Sequence, residues 1–262
     1  SFIQNGQSGS PWDSINKALL DANAGDTIEV TASQQKDYTI DFDNLQSNVP
    51  GWGTVKILGR NKPINNLNIP PKLSCFQTNG NVLELISKRY LIINNFVLTG
   101  FKTNNNIEVS DQCLNGAYIR DSRHIELKDI ISHGMFNAGI VVDSSEKVKI
   151  QSTVLHDNTF AMELDSNISR NQFNYFNKLT ISNNLNGVSI QNSFNTTLIN
   201  SIFYNNSNCL SPDPSNPPTN FIIKYSLCNQ SGVISNFFLD PQSNNKTGFG
   251  TAFNPFFISE DS

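Results

Sequence analysis

A short motif recurs through the middle of this chain: Asn115-Gly116-Ala117-Tyr118-Ile119-Arg120, Ala138-Gly139-Ile140-Val141-Val142-Asp143, Phe160-Ala161-Met162-Glu163-Leu164-Asp165 and Asn186-Gly187-Val188-Ser189-Ile190-Gln191. Successive copies start 23, 22 and 26 residues apart. In each, a small residue leads into apolar residues two apart. A second short β-type run follows, such as Ile125-Glu126-Leu127, Val148-Lys149-Ile150 or Thr197-Leu198-Ile199. A unit of that length cannot bury its own apolar side, so the units must stack, each adding one coil to a continuous core. The expected fold is an all-β solenoid, one elongated domain over residues 1–262 rather than two globular ones.

The polar residues fit stacked turns better than helices. Only 15% of residues are charged, while Asn supplies 39 of 262. Asn tolerates left-handed backbone and bonds to neighbouring peptide groups, which makes it a turn residue and a poor helix-interior one. The run of Asn158, Asn183, Asn184, Asn205 and Asn206 is therefore expected to be structural. Alternating Val, Ile, Leu and Phe between the Asn clusters provide a face to bury, which argues against disorder.

A formal net charge of −4 with no basic stripe gives no support for nucleic-acid binding, and a polyanionic ligand would need a local basic patch. No apolar stretch is long enough for a helix to span a bilayer. The chain begins at Ser1 without Met, which reads as a processed or trimmed product. Cys75, Cys113, Cys209 and Cys228 permit three pairings and have no metal-ligand spacing. Cys209 and Cys228 flank the Pro-rich stretch 211–218, where a bridge would close the loop. Cysteine usage and N-x-S/T sequons at Asn167, Asn195, Asn205, Asn229 and Asn245 point to a secreted or cell- or virion-surface glycoprotein.

The ends read as covers. Ser10, Pro11 and Asp13 are N-terminal helix signals, Ile15, Ala18, Leu19 and Ala22 form an apolar stripe, and Gly25 follows. This gives a capping helix over 10–25, coils over 26–235, and an aromatic-rich closing segment over 236–262. Strands are predicted at 26–30, 38–42, 54–58, 82–86 and 91–97.

The helix followed by Gly25-Asp26-Thr27-Ile28, the repeated Gly-apolar-x-apolar strands and the closing Phe238-Leu239-Asp240-Pro241 resemble the pectate-lyase-like superfamily over residues 10–241. The resemblance implies a right-handed parallel β-helix. It implies no single activity, because hydrolases, lyases, epimerases and non-catalytic spikes share that fold. The Asp-Asp, Gly-His-Gly and Arg-Ile-Lys set of polygalacturonases is missing, with only Ser132-His133-Gly134 present. The arginine motif of pectate lyases and the Asp-Pro-His-Asp of alginate epimerases are missing too, so no family's catalytic residues carry over.

Stacking turns the sequence into columns, because equivalent residues of neighbouring coils lie about 4.8 Å apart. With Ala117/Ile119, Ile140/Val142, Met162/Leu164 and Val188/Ile190 inward, the outward side reads Tyr118 and Arg120, Val141 and Asp143, Glu163 and Asp165, then Ser189 and Gln191. Asp143 and Asp165 become neighbours. They form an acid/base pair or, with Glu163, a calcium site, unless Arg120 simply pairs with Asp143. A second column holds His133 and His156, candidate bases or metal ligands, with Asp157 beside one ring.

The expected function is polysaccharide binding along an outer sheet. In its catalytic version, a lyase or epimerase, His133 or His156 is the base, Tyr118 the acid, and Arg120 the contact to a uronate carboxylate. The alternatives are a self-associating structural or adhesive module and, third, a glycoside hydrolase.

Overall fold

The computed structural model describes residues 2–4, 15–32, 38–40, 54–64, 67–75, 77–104, 107–110, 113–165, 171–229 and 246–248. They form a parallel β-solenoid whose coils alternate between two sheets. The six-stranded sheet contains Asn81–Ile86, Asn115–Arg120, Ala138–Asp143, Phe160–Asp165, Asn186–Ile190 and Leu210–Pro212. The thirteen-stranded sheet includes Thr27–Thr31, Val55–Arg60, Arg89–Thr99, Arg123–His133, Lys149–His156 and Tyr175–Ser182. Its longer strands bend midway, so each coil has three flat stretches.

The repeat defines the register: Ala117 pairs with Ile140, Ile140 with Met162, and Met162 with Val188. These side chains and the paired Ile119, Val142, Leu164 and Ile190 are all buried, as predicted. One coil escaped the periodicity. Asn81–Ile86 pairs in register with Asn115–Arg120, but lies 34 residues upstream because the hairpin Phe101–Asn104/Ile107–Ser110 is inserted between them.

The small residue of each motif has a steric cause. A Cβ on Gly116 would lie 2.2 Å from the inward Ser132 Oγ, and one on Gly139 would lie 2.7 Å from the Ala161 carbonyl oxygen. The strand enters its sheet too close to the stretch of chain that follows it for a larger side chain.

Corners are built from left-handed backbone. One column of corners is Asn95, Asp129, Ser152, Lys178, Asn200 and Tyr225, and another is Tyr90, His124, Lys147, Phe173, Asn195 and Asn220. Two more hold Ser87, Asp121 and Ser144, and Gly134, Asp157, Asn183 and Asn205. Behind the last of these runs a buried amide ladder. Asn158 Oδ1 accepts from the Met135 N–H, Asn184 Oδ1 from the Asn158 N–H, and Asn206 Oδ1 from the Asn184 N–H, each at 3.0 Å. Their Nδ2 groups donate to the carbonyls of Ser132, Leu155 and Ile181. Backbone groups that a corner leaves unpaired are thus satisfied by the next coil.

The predicted cap is present as the helix Ile15–Asp21, with Ile15, Ala18 and Leu19 in the core cluster, while residues 10–14 lie outside the described residues. So does the closing segment 236–262, apart from the strand Lys246–Gly248. The strand predicted at 38–42 reduces to one bridge, Tyr38 to Leu73, because its partner strand Lys72–Leu73 is only two residues long; 41–42 are outside the described residues. Disulfides join Cys75 to Cys113 and Cys209 to Cys228, so the Pro-rich loop is closed as expected.

Replacing Asn184 by Ala is expected to cost roughly 2–5 kcal/mol in urea unfolding, because buried backbone partners at Asn158 and Leu155 lose their bonds. Asn183→Gly, at the exposed corner one residue earlier, is expected to change stability by less than about 0.5 kcal/mol.

Candidate functional site

Alternation along the six-stranded sheet leaves two outward columns. One is Glu84, Tyr118, Val141, Glu163, Ser189 and Ser211, and the other is Ile86, Arg120, Asp143 and Asp165. In the second, register places Arg120 beside Asp143 and Asp143 beside Asp165, as the spacing predicts.

Asp143 is the hub. The Tyr118 hydroxyl donates to Asp143 Oδ2 at 3.3 Å, and Arg120 Nε lies 3.7 Å from the same oxygen. Ser144 Oγ donates to Oδ1 at 2.7 Å. Arg120 also lies 3.4 Å from Asp121 Oδ2. Partial burial raises the Tyr118 pKa, the negative Asp143 adds to the effect, and Arg120 opposes it. Tyr118 therefore keeps its proton near neutrality and serves as a donor rather than a base. Arg120 is pushed up in turn, mainly by Tyr118 and then by Asp143.

Glu163 occupies a different setting. Asn137 Nδ2 donates to its Oε2 at 2.8 Å, and the same amide group donates to Asn115 Oδ1 at 3.0 Å. Burial raises the Glu163 pKa, the Asn137 bond pulls it back, and Asp165 two residues on pushes it up again. The carboxylates expected as calcium ligands, Asp143, Glu163 and Asp165, fall in two adjacent columns. Among the described residues no group of three or more His, Cys, Asp or Glu is placed to hold a metal ion. Tyr118, Ser144 and Arg120 surround Asp143, while Asn137 holds Glu163 one column away.

His133 and His156 are paired in register, and their rings stack at 5.0 Å between centroids with an interplanar angle of 1°. Ser182 and Tyr204 continue the column, and Phe101 lies 5.9 Å from His133. Asp157 Oδ2 is 2.7 Å from His156 Nδ1, so the expected orienting contact exists. In-plane lone pairs of two parallel stacked rings run side by side and do not converge on one metal ion. The pair sits on the thirteen-stranded sheet, one corner before the six-stranded one. From Phe160 to Asp165 the strand runs about 16 Å, at about 3.3 Å per residue. The two columns thus lie on different sheets, the acidic one at one edge of the six-stranded face and the histidines beyond the other.

Sequence reasoning missed Glu84, Asn137 and Ser144. Glu84, which accepts from Asn81 Nδ2 at 2.7 Å, was hidden by the hairpin insertion; Asn137 and Ser144 flank the motif rather than belonging to it. The sequon residues Asn195 and Asn205 sit at exposed corners. Asn229 ends a strand and its side chain is not described, and Asn167 and Asn245 lie outside the described residues.

No protein-family model matches the chain, and no curated protein matches it in sequence. Solved structures do. An alginate lyase from Paenibacillus sp. strain FPU-7 superposes with a TM-score of 0.59 at 14% identity, over 83% of this chain and 74% of that one. The pectin methylesterase of Aspergillus niger gives a TM-score of 0.52 at 10% identity, over 92% and 79%. At such identities the likeness shows the fold, a right-handed parallel β-helix.

Because the Glu163 pKa is raised by folding, the folded state keeps a proton that the unfolded chain releases at a lower pH. Stability contributed by this group is therefore lost as pH rises through the window from the ordinary carboxylate range up to the raised value. Urea unfolding between about pH 4 and pH 7 is expected to show Glu163→Gln gaining on the native protein as pH increases. Parallel profiles would contradict the assignment.

Proposed function

We propose that the protein is an extracellular polysaccharide-binding β-helix that holds a glycan along the outer face of its six-stranded sheet. The carrying observation is the in-register array on that face: Glu84, the Tyr118–Asp143–Arg120 cluster and the Asn137–Glu163 pair follow one another across neighbouring coils. Carboxylates, amides, a phenol and a guanidinium supply both donors and acceptors for sugar hydroxyls. A polymer laid across the strands meets a fresh set at each coil. The fold neighbours support the reading, since alginate and pectin are polysaccharides. Two disulfides and the exposed sequon residues Asn195 and Asn205 support an oxidising, extracellular location.

A second reading, elimination chemistry, rests on the protonated Tyr118 beside Arg120. Arg120 would neutralise a uronate carboxylate, Tyr118 would protonate the departing oxygen, and a carboxylate of the same face, Glu163 or Asp165, would take the ring proton. This version draws all its groups from the one face.

Affinity electrophoresis against a polysaccharide panel is expected to show retardation of the native protein. Tyr118→Phe and Glu163→Gln should each weaken it about fivefold, the loss of one hydrogen bond of about 1 kcal/mol. Retardation by no glycan would sink the proposal. A rise in ultraviolet absorbance from new unsaturated ends would establish the elimination reading, and its absence across polyuronates would remove that reading alone.

A further inference from the structure

We propose that the corner joining the six-stranded to the thirteen-stranded sheet is a second contact on the same glycan, an outward ladder of rings flanked by cations that takes carboxylate-bearing sugars. The inference rests on the glycan-binding reading and adds to it the chemical class of the polysaccharide.

Register defines the ladder. Arg89 pairs with Arg123, Arg123 with Glu146, Glu146 with Gln172, and Gln172 with Phe194. The next residue in each coil forms the outer edge: Tyr90, His124, Lys147, Phe173, then Asn195 and Asn220. Tyr90 and His124 stack at 4.7 Å with an interplanar angle of 12°. Phe173, two coils beyond His124, is 54% exposed.

All four leading members hold left-handed backbone, with φ of 56° at Tyr90, 57° at His124, 56° at Lys147 and 54° at Phe173. A bulky residue there is strained, whereas Asn adopts the conformation readily. The same column ends in Asn195 and Asn220, and other corners use Asn183, Asn200 and Asn205. Backbone preference alone therefore favours Asn along the whole edge. The chain instead places two stacked, half-buried rings, an exposed lysine and an exposed phenyl there.

Charge points to the ligand. Arg89, Arg123 and Lys147 stand on this corner against Glu146, which Arg123 engages, and Asp121, which lies 3.4 Å from Arg120, in a chain of net charge −4. The adjoining sheet face is the reverse, with Glu84, Asp143, Glu163 and Asp165 against Arg120. The His124 pKa is lowered by burial and then by Lys147 and Arg123, so near neutrality its ring offers an uncharged flat face beside Tyr90. Flat rings suit the C–H faces of sugars, and exposed cations suit their carboxylates. A uronate chain thus finds on this corner several cations, where the adjoining face offers it Arg120.

The test uses the substitution the column itself employs. Tyr90→Asn/His124→Asn/Phe173→Asn is expected to keep or raise Tm while weakening binding to alginate and de-esterified pectin at least tenfold. Arg89→Glu/Lys147→Glu should abolish the preference for these polyuronates over a neutral β-glucan at low salt. Unchanged polyuronate binding by the triple variant overturns the proposal, as does a drop in Tm with binding intact, which makes the rings structural. Native protein that binds the neutral glucan but no polyuronate overturns the ligand class and leaves the glycan reading standing. Binding to neither overturns both.

Discussion

Parallel coils can stack only if every corner hands its unpaired backbone groups to the next coil. Asn158, Asn184 and Asn206 do this at one corner, each side chain accepting from the coil before it and donating back to it. Ser122 and Ser145 do the same at another, where Ser122 Oγ accepts from the Lys88 N–H and Ser145 Oγ from the Ser122 N–H, both at 3.0 Å. These buried ladders cannot shift by one residue without stranding polar groups inside the protein. They lock the register on which the outward columns depend.

The functional arrangement follows from that lock. Tyr118, Arg120 and Asp143 meet because neighbouring strands are aligned to the residue, and Glu163 is set apart because Asn137 claims it. The same regularity stacks His133 on His156 whether or not chemistry needs them together. Adjacency within a column is therefore a cheap product of the fold. Contacts that cross columns, such as Tyr118 to Asp143, and residues that oppose the backbone preference of their position, such as Phe173, are more informative.

Much of this was legible because inward and outward side chains alternate with period two and coils repeat every two dozen residues. The alternation puts the motif positions from Ala117 and Ile119 to Val188 and Ile190 inward, the repeat aligns the Arg120/Asp143/Asp165 and His133/His156 columns, and the Pro-rich loop points to a bridge from Cys209 to Cys228, as the structure has them. The Asn81–Ile86 coil was not recognised as a repeat, since a hairpin breaks the period without breaking the stack. The partners of Asp143 were not legible for a different reason: column position says which residues are near, not which neighbours bond to them.

The amino-acid sequence by itself determined that this chain is a β-solenoid and which residues share a column, because both depend on a short-range pattern repeated along the chain. Only the tertiary structure decided where the columns stand relative to one another. Corner angles arise from left-handed residues as unlike as Asn195, Lys147 and Phe173, and no local pattern distinguishes them. That geometry put the histidines beyond one edge of the acidic face and brought Tyr90, His124 and Phe173 into line at the other.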